Sequence, residues 1–172
     1  HGVKSFKIKT NKRTGDNKFQ YNKFFADRDY TKYKALTLRN GGNGFGYLFP
    51  RWRDGYMQNL AKGMNIDLQA YMPVAYFLNG KFHGMMGLRE RMDETYLNQN
   101  YGIEEDEIDF LKVVNGTGYV AQYGSNEDFY AMQEYAYKHH QDPDFFDKMC
   151  EMMDMDEYID YQILEQFVGN TD

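Results

Sequence analysis

The first half of the chain reads mainly with the two-residue period of strands and the second half mainly with the three-to-four-residue period of helices, which predicts an α+β protein. A second observation supports this. Asn79-Gly80 separates two apolar runs, Val74 to Leu78 and Lys81 to Leu88, the strongest short-range signal for a hairpin. The charge is also asymmetric along the chain, which suits phosphates or an acidic surface as partners, or attraction within the fold. Residues 1–62 carry 14 Lys/Arg against 4 Asp/Glu, and residues 63–172 carry 6 against 22, so balances of +10 and −16 leave −6 overall. The 172 residues are 42% hydrophobic and 17% aromatic, enough for one domain with a core, which excludes wholesale disorder. The apolar runs are too short for a membrane-spanning helix. One cysteine, Cys150, excludes an internal disulfide and a cysteine-rich zinc site.

The elements follow in order. Ser5 to Thr10 alternates, with Phe6 and Ile8 on one face and lysines on the other, as in a half-buried strand. Asn11 to Asp16 is a polar turn around Gly15. Phe19 to Asp29 has no clean period and reads as an irregular connection. Tyr33 to Arg39 alternates again and ends in a glycine-rich loop, Asn40 to Gly46. From Arg53, helical spacing places Tyr56, Met57, Leu60, Ala61 and Met64 on one stripe, with Gly63 or Asn65 as the stop. After the Asn79-Gly80 hairpin, Asp93 caps a helix from Glu94 to Asn100, stopped by Gly102. Ile108 to Val114 reads as a strand. Ser125 caps a helix to His139, Asp142 or Pro143 starts another, and Asp156 caps a last one that buries Tyr158, Ile159, Ile163, Leu164 and Phe167.

Most candidate chemistry reduces to structure. Gly42-x-Gly44-x-Gly46 has bare N–H groups that can converge on an anion, but it matches neither a phosphate loop with its lysine nor a dinucleotide fingerprint. His139 and His140 are adjacent and so point to different sides of a helix, unlike a metal clamp. Cys150 sits among methionines without a base, which favours a core role. Glu104 to Glu107 lacks the spacing of a calcium loop and reads as a solvated turn. Asn115-Gly116-Thr117 fits a glycosylation acceptor. Arg39, Arg53 and Asp54 combine a strand end with a helix start and suit either an anion or an internal ion pair. The basic first half carries no recognised nucleic-acid motif, so nucleic acid is not expected as a partner.

A series of segments is more specific in combination. These are Lys4-Ser5-Phe6-Lys7-Ile8, Leu38-Arg39-Asn40-Gly41-Gly42-Asn43, Arg53-Asp54-x-x-Met57-Gln58-x-Leu60-Ala61, and Asp67-x-Gln69-Ala70-Tyr71-x-Pro73-Val74. Leu78-Asn79-Gly80-x-x-x-Gly84, Leu88-Arg89-Glu90, Asp93-x-x-Tyr96-Leu97 and Asn170-Thr171-Asp172 follow. In this order the chain resembles the spore-coat protein H (CotH) kinase-like family.

The resemblance implies an atypical protein-kinase-like fold that uses ATP and Mg²⁺ to phosphorylate Ser/Thr hydroxyls of a protein substrate. Residues 1–90 would be the sheet-rich lobe and hinge, and 91–172 the helical lobe up to the catalytic loop. It implies Asp172 as the catalytic aspartate, orienting the acceptor hydroxyl and taking its proton. Lys4 is the implied phosphate-binding lysine, with Lys7 and Lys9 competing for the role. Arg39 and Arg53 would assist with phosphates, and Glu90 lies in the hinge segment where adenine and ribose sit. A kinase also needs an asparagine and a second aspartate beyond its catalytic aspartate. The sequence is therefore expected to be an incomplete domain, inactive alone, with any secretion signal outside it. The expected location is extracellular, on the cell surface or in the spore coat. The competing expectation is a non-catalytic scaffold that keeps the kinase-like frame.

Overall fold

A computed structural model describes residues 4–13, 15–22, 24–41 and 52–170. It is mixed α/β, with antiparallel sheets and five helices among the described residues, and it divides into two compact units. The first comprises residues 1–63 and 67–99; the second comprises 64–66 and 100–172. No helix among the described residues is long and apolar enough to cross a membrane.

The first unit is built on a four-stranded antiparallel sheet of β1 (Phe6–Lys9), β4 (Ala35–Arg39), β6 (Lys81–Glu90) and β5 (Tyr71–Leu78), in that spatial order. The β5–β6 hairpin turns at Asn79 (φ 51°) and Gly80 (φ 76°), the left-handed pair that the Asn-Gly signal predicts. The alternating segment 33–39 is interrupted at Lys34. Its start, β3 (Lys32–Tyr33), pairs instead with β2 (Phe19–Gln20), inside the stretch expected to be irregular.

Register decides the two sheet faces, since directly opposed residues share a face. Phe6 lies opposite Leu38, Leu38 opposite Leu88, and Leu88 opposite Met72. That apolar face packs on Phe25, Tyr33, Leu36 and Ala70, the core of the unit. Thr37 lies opposite Arg89, and Arg89 opposite Tyr71, so the other face is charged and aromatic. Helix α1 (Arg53–Leu60) adjoins that second face through Gly55, and helix α2 (Glu94–Tyr101) follows β6. The expected stripe on α1 is only partly right. Gly55 and Ala61 are buried, whereas Tyr56 and Leu60 are about half exposed. The helix also ends at Leu60, before either expected stop. Asp93 caps α2 as expected, its Oδ1 accepting the Thr95 N–H at 3.1 Å.

The second unit contains a hairpin, β7 (Phe110–Val114) and β8 (Gly118–Tyr123), and helices α3 (Glu127–His139), α4 (Phe145–Met152) and α5 (Met155–Val168). Two caps differ from the sequence reading. Asn126, not Ser125, is the N-cap of α3, and Ser125 Oγ instead accepts the Glu127 N–H at 3.0 Å. Asp154, not Asp156, caps α5, accepting the Glu157 N–H at 2.9 Å. The Met-rich segment is also corrected: Met149 is buried but Cys150 is exposed, because adjacent helical positions face different ways. His139 pairs with Asp142 at 2.7 Å and stacks on Tyr135.

Candidate active site

The segment Leu88-Arg89-Glu90 ends β6, and the strand pleat sends adjacent side chains to opposite faces. Arg89 and Glu90 are both only 2% exposed, so each must find a partner on its own side.

Glu90 turns toward the apolar face. Its Oε1 accepts Arg28 Nε at 2.8 Å and the Ala70 N–H at 2.7 Å, and also meets Arg28 Nη2; its Oε2 accepts the Tyr30 hydroxyl at 2.5 Å. Arg28 Nη2 donates further to the Leu68 carbonyl, and the guanidinium lies 5.9 Å from the Tyr96 ring centroid. Burial works against the charge of Arg28, but its hydrogen bonds to Glu90 outweigh it and hold it above its ordinary pKa. Tyr33, packed nearby, is pushed up to about 12 by burial and then by the charge of Glu90. The network ties the 24–33 segment to the end of β6. A small cavity beside it, lined by Tyr30, Glu90 and Tyr96 among others, has room for about one water.

Arg89 turns toward α1. Its Nη1 donates to Gln69 Oε1 at 2.9 Å and lies 3.2 Å from Asp54 Oδ2, while the Tyr71 ring centroid sits 5.6 Å from the guanidinium carbon. Gln69 is itself held, its N–H donating to Gln58 Oε1 of α1 at 2.9 Å. Arg39, at the end of β4, reaches the same Asp54 Oδ2 through Nε at 2.8 Å. Two arginines thus converge on one carboxylate oxygen. The charges are in contact, yet among the described residues Oδ2 receives no well-aligned N–H, and the buried Nη2 of Arg89 has no hydrogen-bond partner. Burial keeps Arg89 below its ordinary pKa, only partly offset by Asp54.

Two glycines make this approach possible. A Cβ on Gly55 of α1 or on Gly87 of β6 would come within 2.6 Å of the Tyr71 ring. Tyr71 therefore fills a slot between helix and strand that only glycine leaves open, and that spacing lets Asp54 reach both arginines.

A third charged group lies nearby on the chain. Arg91 pairs with Asp93 at 3.4 Å, and Lys34 pairs with Glu94. Burial, then the charge of Glu94, raises the Asp93 carboxyl.

The residues expected at the site fare differently. Arg39 and Asp54 are brought together, as one of the two readings of that combination required. Glu90 is buried with its carboxylate engaged by protein donors. Lys4 is exposed just ahead of β1. Arg53 opens α1. Asp172 and Gly42, Gly44 and Gly46 lie outside the described residues. Arg28 and Arg89 were not singled out as site residues. Arg28 lay in a stretch without period, and Arg89 was absorbed into a hinge motif. The available signal was the Arg-Glu dipeptide at the end of a strand-like run, where one neighbour of each sign must go to each face.

Fold and site together define a mixed α/β protein on an antiparallel sheet, with an arginine–carboxylate site joining a strand end to the following helix. The chain belongs to the CotH kinase protein family, whose model matches residues 2–172. No curated protein and no solved structure matches it.

Proposed function

We propose that the protein is a CotH-type kinase that transfers the γ-phosphate of ATP to Ser/Thr hydroxyls of a protein substrate. Family membership supports a kinase-like function. The observation that carries the reading is the pair between Arg39 of β4 and Asp54 of α1. Protein kinases hold their phosphate-binding cation with the same device, a strand lysine paired to a carboxylate on the following helix. The strand order fits as well: a hairpin (β5–β6) pairs with the cation-bearing strand and leads into a short helix.

In this reading Arg39 binds phosphate oxygens and Asp54 orients it. Glu90 positions the end of β6 through Arg28, Tyr30 and Ala70, so that its contribution to the nucleotide site runs through the main chain. Lys4 and Arg53 add positive charge for the phosphates, and Asp172 orients the acceptor hydroxyl and accepts its proton. Among the described residues Arg89 Nη2 is a buried cationic donor without a hydrogen-bond partner beside that pair. ATP brings Mg²⁺ in kinases, where it neutralises charge developing on the phosphates. Among the described residues no three His, Cys, Asp or Glu side chains are grouped to hold a metal, and no step is assigned to one. The same reading places the protein outside the cell, on its surface or in a spore coat.

A non-catalytic scaffold is the second reading. The observation favouring it is that arginine stands where a kinase has lysine, and the two present their donors differently.

The test is transfer from labelled ATP with Mg²⁺ by the full-length protein to a serine-rich acceptor protein. Arg39→Gln is expected to lower transfer about 10²- to 10³-fold, as does loss of a preorganised donor to developing charge, and Asp172→Ala is expected to abolish it. Transfer surviving in Asp172→Ala overturns that assignment. No transfer, with no ATP-dependent change in melting temperature, selects the scaffold.

A further inference from the structure

The β5–β6 hairpin outruns the sheet that holds it. Strand β4 ends at Arg39, opposite Gly87, so from Val74 to Met86 the two strands have only each other among the described residues. At the rise of a strand, the five residues from Val74 to Leu78 carry this arm about 15 Å past β4. One face of the arm packs inward: Met86 is 2% exposed, and its partner Val74 packs on the core. A hairpin packed on one face ordinarily turns polar side chains outward on the other. Here the outward face is apolar. Ala75 lies opposite Met85, and Phe77 opposite Phe82 with the two ring centroids 5.3 Å apart. A bulge between Tyr76 and Phe77 makes this so, because an unbroken register sets His83 opposite Phe77. Phe77, Leu78, Phe82 and Met85 are 58%, 50%, 53% and 49% exposed.

Charge on the arm has one sign. No Asp or Glu occurs between Asp67 and Glu90, and Lys81 beside the turn is exposed. The unit that carries the arm holds 17 Lys/Arg against 8 Asp/Glu. Size and shape then select the occupant. Four half-exposed side chains of this kind offer roughly 400 Å², about half of what each partner buries in a stable protein interface. A projecting tip also needs a matching pocket on a protein, whereas the headgroup region of a bilayer yields around it. We propose that the β5–β6 arm is a membrane-surface anchor: its apolar tip enters the interface of an anionic lipid bilayer, and Lys81 meets the headgroups. The arm lies in the interface and does not span it, and an entry of about 5–10 Å takes up its outer part alone. The inference is independent of the kinase reading.

The experiment is cosedimentation of the full-length protein with phosphatidylcholine vesicles, with and without phosphatidylserine, and melting temperature is the folding control. Wild type is expected to pellet with the anionic vesicles, and less so as salt is raised. The double variant Phe77→Ser, Phe82→Ser should weaken binding at least about tenfold, since two half-exposed rings lose their transfer out of water. Lys81→Gln should weaken it about fivefold, the share of one basic residue at an anionic surface. Phe167→Ser on α5 removes a ring that is 78% exposed and should bind as wild type, an outcome that general stickiness cannot produce. If the double variant fails to fold, Leu78→Ser and Lys81→Gln decide the matter. No binding of wild type to anionic vesicles overturns the anchor, as does equal binding by the double variant. A wild-type dimer in light scattering that the double variant abolishes, without vesicle binding, overturns it in favour of a second copy on the arm.

Discussion

In the first unit Arg89, Glu90, Asp93 and Glu94 are buried, alongside Phe25, Tyr33, Leu36, Met86 and Leu88. In the second, Ile108 and Met149 are the buried hydrophobic residues among those described, while Tyr137, Ile163 and Phe167 are 82%, 54% and 78% exposed. Charge separates them too: 17 Lys/Arg against 8 Asp/Glu in the first unit, 3 against 18 in the second. Helix periodicity is present in both, yet only in the first has the fold converted charged residues into buried, partnered ones. A buried charge is tolerated when its partners are fixed, and fixing them requires the close packing that β4, β6, α1 and the 24–33 segment provide. The functional reading accordingly draws its described residues from the first unit.

The sharpest break in that comparison is at Glu90. Glu90→Ala leaves the half-buried Arg28 without its carboxylate and strips partners from Tyr30 and Ala70, so it should cost about 3 kcal/mol. Ile163→Ala on α5, at a position half exposed, should cost less than about 1 kcal/mol. Denaturant unfolding of both variants checks this. Equal losses would mean that α5 is covered as well as the sheet is, and the contrast between units would fail.

Smaller effects are expected where glycine sets the helix–sheet distance. Gly87→Ala drives a Cβ within 2.6 Å of the Tyr71 ring and should cost about 1–3 kcal/mol, as overpacking does. A variant with wild-type melting temperature would show that Tyr71 moves freely and that the slot has no role.

How much of this was legible depends on whether a signal is local. The β5–β6 hairpin and the Asp93 cap were readable because Asn-Gly and Asp at a helix start act over a few residues. The β7–β8 hairpin turns over residues 115–117, where the same Asn-Gly dipeptide precedes a run whose alternation is too weak to announce the second strand. The Arg39–Asp54 pair was one of two open readings, since a strand end and a helix start adjoin across a loop. The Arg28–Glu90 pair spans 62 residues, and no periodic pattern announces an arginine in an irregular segment as buried. Gly55 was invisible for another reason: a helix-interior glycine reads as a cost, and its value appears only when Tyr71 arrives from β5.

Cap placement gives a finer test within the second unit. Asp154→Ala removes the acceptor for the Glu157 N–H and should cost about 1 kcal/mol, a typical N-cap loss. Asp156→Ala, the position expected from sequence, should stay within about 0.5 kcal/mol as a surface change. Reversed values would restore the sequence-based cap.

The smallest effect contrasts one lysine in each unit. Lys7 on β1 is pushed down to about 8 by partial burial, then by hydrogen bonding with Lys9 and by the charge of Arg91. Lys148 on α4 is held above its ordinary value, first by its hydrogen bonds to Glu151 at 3.0 and 3.2 Å. At pH 8 about half of Lys7 is then neutral amine, while a lysine near 10.4 is almost wholly charged. A sub-stoichiometric amine-acylating reagent at pH 8 should therefore label Lys7 first and Lys148 among the last, as read by peptide mapping. The sign of the stability effect follows. The unfolded state binds the proton more tightly than the folded one, so the Lys7 contribution becomes more favourable as pH rises from about 8 toward 10.5. A Lys7 acylation rate with its midpoint near 10 would show that β1 leaves this amine in ordinary solvent, and that the basic sheet face begins at Arg39 instead.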